Sequence, residues 1–277
     1  MPKKELQKTA LLTPKFVTTN LRWPGGKSKM TRILQAFMPE NIDKYFEVFT
    51  GGASVLLFVL QKYNPEITLA NDIDQNLIRY YQYLQIHPKT LVGDLLRIKN
   101  AFDSEQFRNE FKKLDTQHPE QFFVANKTSF SGLNYNYSKL AYEKNFTHRS
   151  IEKIIKLSDL LKDVDFINVD FRRFDRKLKD YFIYLDPPYF SNAQKGLYGK
   201  KGTLHKSFDH DTLKLFVDRY ASDNKIMISY DDCSDIHQMY SQYHQYNFDF
   251  VYSMTNTGGN NCKTGKEIVI TNYKVKR

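Results

Sequence analysis

The sequence predicts an α/β fold with a doubly wound, mostly parallel β-sheet, an antiparallel C-terminal strand and an inserted, mostly helical segment. Three observations support this prediction. Short apolar stretches alternate with amphipathic helical stretches, as expected for parallel strands joined by crossover helices. The last two apolar stretches flank a loop rich in Gly and Asn, which favours an antiparallel pair. The stretch between the second and third predicted strands is too long for a single crossover helix.

The predicted elements follow one another in a regular order. The first five strands span residues 44–49, 66–72, 164–171, 181–186 and 225–230. A helix follows the first strand in GGASVLLFVLQKY, and another follows the second strand in QNLIRYYQYLQ. The C-terminal pair spans residues 246–254 and 266–275. We expect residues 1–84 and 163–277 to form one core, and residues 85–162 to form the inserted domain.

Composition limits the classes of function. The 277 residues carry a net charge of +10, which favours a polyanionic partner, with a merely basic soluble protein as the alternative. With 19 Tyr and 21 Phe, some rings must lie near the surface, where they could stack on bases.

Cys233 and Cys262 lack the spacing of metal ligands, so we expect no metal site and a reducing, cytoplasmic location. The apolar run at residues 53–60 is too short to cross a bilayer, so we expect no membrane association.

Candidate ligand groups follow the first two strands. Gly51 and Gly52 would let a ligand approach the backbone closely, although glycine pairs are common in α/β turns. Asp72, at the end of the second strand, is placed to accept hydrogen bonds from ribose hydroxyls. The alternative is that Asp72 or Asp74 caps the following helix. We favour Asp72 for the ligand because it lies nearer the end of the strand.

A third acid, Asp170, closes the third predicted strand beside Phe171. Such a pair could recognise an adenine ring by hydrogen bonding and stacking, although a loop aspartate is the commoner explanation when the pair is taken alone. The carboxyl ends of parallel strands meet at one edge of a sheet. Three successive strand ends with such groups therefore indicate a nucleotide-like ligand.

The fourth strand ends in Asp186-Pro187-Pro188-Tyr189. Two prolines lock the turn and offer no N–H, so the Asp186 carboxylate and the Pro187 carbonyl form a rigid pair of acceptors. Tyr189 supplies a flat face beside them. This combination favours the binding of a planar ring that bears an exocyclic amino group. A rigid loop after a strand is the alternative. Neither cysteine follows a proline, so a covalent adduct to a pyrimidine ring is not indicated.

With these motifs identified, the sequence resembles the Dam-type DNA adenine N6-methyltransferases, and the motif order matches over nearly the whole chain. The resemblance implies a Rossmann-like methyltransferase core that uses S-adenosylmethionine and modifies the N6 amino group of a flipped adenine in double-stranded DNA.

LRWPGGKSKM resembles the motif at the methionine end of the cofactor, although PGGK alone would indicate only a turn before a helix. FEVFTGGAS resembles the first cofactor loop, with Ala53 where a third glycine is common, and NDID, VDF and DPPY resemble the ribose, adenine and catalytic motifs. The implied cofactor-binding residues are Trp23, Gly25, Gly26, Lys27, Phe49, Gly51, Gly52, Asp72, Asp170, Phe171 and Asp186, and the implied catalytic residues are Asp186, Pro187, Pro188 and Tyr189.

The recognition segment FSGLNYNYSK departs from that family, since Ser131 replaces an Asn and no Arg follows. Because a bidentate Arg is the usual partner of guanine, the resemblance does not extend to the target sequence GATC. We expect DNA contacts from Lys127, Ser131, Leu133, Asn134, Tyr135, Asn136, Lys139, Lys200 and Lys201. The basic loop around the last two could equally be an ordinary solvated loop.

A cognate restriction endonuclease is an expected functional partner. An N4-cytosine methyltransferase, or a DNA-binding relative without catalysis, remains the alternative function.

Overall fold

The computed structural model describes residues 16–190, 208–252 and 263–275. In chain order, the strands in these ranges are β1 Lys44–Glu47, β2 Ile67–Asn71, β3 Val164–Ile167, β4 Phe182–Leu185, β5 Lys225–Asp231, β6 His244–Tyr252 and β7 Lys263–Thr271. They form one sheet in the order β3-β2-β1-β4-β5-β7-β6. β1 to β5 pair in parallel, whereas β7 pairs antiparallel with both β5 and β6. The predicted fold class is confirmed, including the antiparallel C-terminal strand.

Helices connect and cover the strands. The described α-helices are α1 Thr31–Gln35, α2 Ser54–Tyr63, α3 Gln75–Ile86, α4 Pro88–Ala101, α5 Phe107–Phe111, α6 Pro119–Thr128, α7 Lys139–Asn145, α8 His148–Leu161, α9 His210–Tyr220 and α10 Ser234–Met239. Two 3₁₀ turns, Phe130–Gly132 and Phe171–Arg173, stand at loop positions. In these described ranges no helix has the length and hydropathy needed to cross a bilayer.

Each face of the sheet has its own apolar layer. Alternate strand residues point to opposite faces, so Tyr45 packs in one cluster and Phe46 in the other. The same alternation places Tyr184 in the first cluster and Ile183 and Leu185 in the second. β4 is buried along its whole length, as expected for a strand covered on both faces.

The helices between β2 and β3 pack on the first of these faces. Leu91, Phe122 and Ile151 belong to the same cluster as Leu56 of α2 and Tyr81 of α3. This stretch accommodates α4 to α8, which explains why it exceeds the length of one crossover helix. Its division from the core as a recognition domain remains a prediction.

The third strand is shorter than predicted. The hydrogen-bonded ladder stops at Ile167, four residues before the predicted end. Beyond it the chain is held by side chains instead, because Val169 N donates to Asn71 Oδ1 at 2.9 Å and Asn168 Nδ2 donates to the Asp72 carbonyl at 2.8 Å. These bonds keep the loop after β3 beside the end of β2, where Asp72 stands.

Candidate active site

The candidate site lies where the parallel strands end. β1 stands between β2 and β4, so the chain order of the strands reverses there. In open α/β sheets such a switch point leaves a crevice at the carboxyl ends of the strands, which is where ligands bind. The groups that follow β1, β2 and β4 are those that the sequence identified as ligand candidates.

The N-terminal motif packs directly on the first loop. A Cβ atom added to Gly51 would lie 2.6 Å from Trp23 Nε1, and one added to Gly52 would lie 2.8 Å from Trp23 Cβ. Gly51 also has a φ of +45°, a conformation that disfavours other residues. Both glycines are therefore required sterically, and the structure brings Trp23 together with this loop.

A turn places Lys27 in the crevice. Gly26 N donates to the Trp23 carbonyl at 3.1 Å, and Gly25 has a φ of +70°, so PGGK is indeed a turn. Lys27, which is 4% exposed, donates from Nζ to the Gly25 carbonyl at 3.1 Å. The same Nζ lies 2.7 Å from Asp186 Oδ1 and 2.8 Å from Asp186 Oδ2. The turn thus connects the N-terminal motif to the acid that ends β4.

The two oxygens of Asp186 are not equivalent. Oδ1 accepts from Lys27 and, at 2.9 Å, from the hydroxyl of Ser229 on β5. Ser229 Oγ is also 2.8 Å from Tyr184 OH, so a buried hydroxyl pair supports Asp186 from behind. Each carboxylate oxygen can accept two hydrogen bonds. Within the described part of the chain Oδ2 bonds only Lys27, which leaves it one acceptor position for an incoming N–H.

Tyr189 is held through its hydroxyl and through the face of its ring. Its hydroxyl donates to Glu267 Oε2 on β7 at 2.5 Å, and Lys27 Nζ lies 4.8 Å from the ring centroid. Burial, followed by the charge of Asp186, raises the pKa of Tyr189 well above its usual value, so the hydroxyl stays protonated. Pro187 is buried and Pro188 is half-buried, so the segment has little room to move.

Asp72 is buried and bonded to backbone. Its Oδ2 accepts from Gly51 N at 2.8 Å and its Oδ1 from Asp74 N at 3.0 Å. Burial raises the pKa of Asp72 to about 6, against the effect of these hydrogen bonds. Asp74 caps α3, accepting from Asn76 N at 2.9 Å and Leu77 N at 3.2 Å. The capping alternative therefore applies to Asp74, and Asp72 faces the first loop instead.

The end of β3 contributes a ring and an engaged acid. Phe171 is buried, with its ring centroid 5.6 Å from that of Phe49 and 5.4 Å from that of Phe208. Asp170 accepts from Arg172 N at 3.0 Å and pairs with the guanidinium of Arg172, which lowers the pKa of Asp170. The loop explanation accounts for every contact described for Asp170, whereas the rings of Phe49 and Phe171 are in contact.

Sequence reasoning missed three buried polar groups beside these residues. Glu47 on β1 is 2% exposed and accepts from Tyr45 OH at 2.6 Å, and burial raises its pKa well above the usual range. Ser229 and Glu267, each 1% exposed, contact Asp186 and Tyr189 as described above. The available signal was an acid or hydroxyl within an otherwise apolar strand, as in KYFE, since charged residues are rarely fully buried without a partner.

One predicted DNA contact is wrong. Lys127 is 7% exposed, and its Nζ donates to the Asn20 carbonyl at 2.7 Å beneath the surface. Burial lowers the pKa of Lys127 to about 8, with the charges of Lys153 and Arg22 adding to the effect. A lysine in this position supports the fold and does not reach a phosphate.

Five of the other predicted DNA contacts lie in a loop between α6 and α7, which we call the recognition loop, residues 130–136. Its backbone takes left-handed conformations at Ser131, Gly132 and Asn134, with φ of +53°, +76° and +63°. Tyr135 is 47% exposed and Phe130, which was not predicted, is 64% exposed. Leu133 is half-buried and Asn136 is exposed, whereas Lys139 lies exposed on α7 and pairs with Glu105 at 2.6 Å. Lys200 and Lys201 lie outside the described residues.

The recognition loop is bonded to the N-terminal motif through one side chain. Asn126, which is fully buried, accepts from Arg22 N at 2.8 Å and donates to the Arg22 carbonyl at 2.8 Å. The same amide donates to the Gly132 carbonyl at 3.1 Å. Arg22 precedes Trp23, so the loop and the crevice are connected by a short run of backbone.

Comparisons with known proteins identify a family for this chain. A family model described as D12 class N6 adenine-specific DNA methyltransferase matches residues 23–254. The type II methyltransferase M.MjaIII of Methanocaldococcus jannaschii is 29% identical over 199 residues, covering 61% of this chain and 68% of that relative. The type II methyltransferase M1.LlaDCHI of Lactococcus lactis subsp. cremoris is 23% identical over 277 residues, covering 91% of this chain and 94% of that relative.

Two further similarities are to a third relative and to a solved structure. A DNA adenine methylase of Vibrio cholerae is 26% identical over 187 residues, covering 61% of this chain and 64% of that protein. A putative RNA methyltransferase from Pyrococcus horikoshii superposes with a TM-score of 0.43 at 9% identity, covering 98% of this chain and 97% of that structure. On the match over residues 23–254, this chain belongs to the D12 class of N6 adenine-specific DNA methyltransferases.

Proposed function

We propose that this protein transfers a methyl group from S-adenosylmethionine to N6 of an adenine flipped out of duplex DNA, with Asp186 receiving the amino group. One observation carries the assignment of Asp186: the carboxylate is held by Lys27 and Ser229, yet Oδ2 retains an acceptor position. Flipping costs a few kcal/mol, which stacking and hydrogen bonds in the site offset.

The charges of the crevice fit this cofactor. Beyond the effect of burial, Asp186 and Asp72 raise the pKa of Glu47 and Asp186 raises the pKa of Glu267, whereas Lys27 pairs with Asp186. A buried excess of acids favours a ligand that carries positive charge. When bound, S-adenosylmethionine supplies a methyl group on a positively charged sulfur.

The remaining crevice residues have separate roles toward the cofactor. Asp72 keeps acceptor capacity for ribose hydroxyls, since each of its oxygens uses one position on backbone N–H. Gly51 and Gly52 admit the Trp23 side chain against the first loop, so in this proposal the loop and this ring border the cofactor together. The cofactor set comprises Trp23, Gly25, Gly26, Lys27, Phe49, Gly51, Gly52, Asp72, Asp170, Phe171 and Asp186.

The protein's contribution to transfer is orientation and electrostatics. The Asp186 carboxylate and the Pro187 carbonyl accept the two amino protons, which directs the nitrogen lone pair away from the ring. Tyr189 stacks on the base. An amino nitrogen oriented in this way needs no covalent enzyme intermediate, and positioning of this type accounts for most of the rate.

The recognition loop supplies the DNA-facing surface in this proposal. Phe130 and Tyr135 present exposed rings, and Ser131, Leu133, Asn134 and Asn136 stand between them. Lys139, together with Lys200 and Lys201, provides charge for phosphates. Because the named relatives include type II methyltransferases, we place the protein with a cognate restriction endonuclease as a functional partner that need not contact it.

The test is sequencing of unmethylated genomic DNA after incubation with the protein and S-adenosylmethionine, using a method that detects N6-methyladenine at each base. We expect one short motif to be methylated throughout by the wild type and left unmodified by Asp186→Ala. N4-methylcytosine in place of N6-methyladenine would contradict the assignment of the base. An absence of any modification with cofactor bound would contradict DNA methylation.

A further inference from the structure

Two strands that carry no cofactor motif contact the catalytic segment, residues 186–190, at three points. On β5, Ser229 Oγ donates to Asp186 Oδ1 at 2.9 Å, and Asp231 Oδ1 accepts from Phe190 N at 3.0 Å. On β7, Glu267 Oε2 accepts from Tyr189 OH at 2.5 Å. Asp231 and Glu267 are paired across the antiparallel ladder. The antiparallel strand therefore brings a residue about 80 positions away to the edge where β4 ends.

The Glu267 contact is unusual for a buried acid. The side chain is 1% exposed, and in the described part of the chain its Oε1 has no hydrogen-bond partner. The hydrogen bond from Tyr189 OH to Oε2 is short, at 2.5 Å. A buried carboxylate with one unsatisfied oxygen lowers stability, so folding alone does not account for an acid at this position.

Charged and titratable groups surround Glu267 on several sides. Asp186 and Asp231 raise its pKa, whereas Lys27 and the Tyr189 hydroxyl lower it, and burial has the largest effect. Ser229 stands in a different network, between Asp186 and Tyr184 OH. Glu267 and Ser229 thus act on two different groups of the catalytic segment.

We propose that Glu267 is a positioning residue that holds the ring of Tyr189 for the flipped base, and that Ser229 is a positioning residue that aims Asp186 at the amino group. This inference rests on the function proposed above, because it takes the roles of Tyr189 and Asp186 from it. The two residues act on different steps: Glu267 supports binding of the flipped base, and Ser229 supports transfer of the methyl group.

The first experiment is a double-mutant cycle between Glu267 and the Tyr189 hydroxyl. The probe is an unmethylated duplex with the motif that the wild type methylates. 2-Aminopurine replaces the target adenine, and its fluorescence rises when the base is flipped. Glu267→Gln exchanges the carboxylate acceptor for a weaker, neutral amide acceptor, and Tyr189→Phe removes the donor, so each should weaken flipping, by up to about 10-fold. The double variant should be no weaker than Tyr189→Phe alone, because the hydroxyl through which Glu267 acts is already missing.

Glu66→Gln, an exposed acid preceding β2, is the matched control and should flip the base like the wild type. Independent effects that multiply in the double variant would overturn the role of Glu267, and so would unchanged flipping by Glu267→Gln. Neither result touches the proposed function, which is tested separately by the methylated bases found with the wild type and with Asp186→Ala.

The second experiment measures single-turnover methyl transfer together with the same fluorescence. Ser229→Ala should slow transfer about 10-fold and leave the flipping signal unchanged, and Ser229→Thr should recover part of the rate because it retains the hydroxyl. Ser158→Ala, a buried serine of α8 away from the crevice, is the control and should change neither quantity. A loss of flipping in Ser229→Ala, or a rate for Ser229→Thr no better than that of Ser229→Ala, would overturn the role of Ser229.

Discussion

Asp186 is held by side chains from the N-terminal motif and from β5, whereas the recognition loop is held largely through its backbone. Lys27 and Ser229 bond the Asp186 carboxylate directly, and both are almost fully buried. In the recognition loop, Asn126 bonds the carbonyl of Gly132, and the aromatic side chains point outward. A site that transfers a group needs fixed atoms, but a surface that selects a DNA sequence can change its side chains on a fixed backbone.

The largest effect is expected for Asp186→Ala, which tests the first of these two regions. Removing the acceptor should lower single-turnover methyl transfer by about 10³-fold, because an electrostatic group aimed at the reacting atom is lost. Cofactor binding, measured by calorimetry, should weaken far less than transfer because the other ten residues of the cofactor set remain, and it would show that the variant is folded despite the lost ion pair of Lys27. Turnover close to that of the wild type would remove Asp186 from the mechanism.

A matched pair of acids tests the cofactor end of the crevice. Asp72→Ala should weaken S-adenosylmethionine binding about 10-fold or more, since it removes the acceptor of Gly51 N as well as the proposed ribose contact. Asp74→Ala removes only the cap of α3 and should cost about 1 kcal/mol of stability with affinity unchanged. Calorimetry and thermal unfolding distinguish the two, and equal affinities in both variants would contradict the assignment of Asp72.

The recognition half of the comparison is tested by Asn126→Ala. The change leaves backbone groups of Arg22 and Gly132 unpaired, so we expect a loss of about 1–3 kcal/mol in stability and a lower ratio of target to near-target methylation. Thermal unfolding and sequencing of methylated DNA measure the two effects. Full retention of target choice would show that the loop does not depend on this connection.

The smallest expected effect concerns pH and stability. Burial raises the pKa of Glu267 to about 7 from an unperturbed 4.5, so the folded protein binds more protons than the unfolded chain between these values. Stability of the cofactor-free protein should therefore decrease as the pH rises from about 4.5 through 7, by at most about 3 kcal/mol from this group. Glu267→Gln should unfold at a higher temperature than the wild type at pH 8 and not at pH 4. An identical pH dependence in both proteins would show that Glu267 is not responsible.

The comparison also explains which parts of the site could be predicted. Motifs such as Asp186-Pro187-Pro188-Tyr189 combine residues that are adjacent in sequence, so their joint chemistry is visible without a structure. Ser229 and Glu267 escaped notice because the group that each one contacts lies 43 and 78 positions away, respectively, in the sequence. Lys127 was misassigned because a basic residue next to a polar loop is usually exposed, and here helix packing placed it inside.

The order of strands and helices, the left-handed positions taken by glycine and the residues at each strand end follow from local sequence, since periodicity and turn chemistry act over a few residues. The length of β3, the pairing of β7 beside β5 and the burial of Lys127 depended on tertiary structure. Contacts such as Glu267 with Tyr189 join segments far apart in the chain, and only the antiparallel register brings them within hydrogen-bond distance. Side-chain alternation then selects which residues of that strand face the crevice, because one step in register turns every side chain to the opposite face.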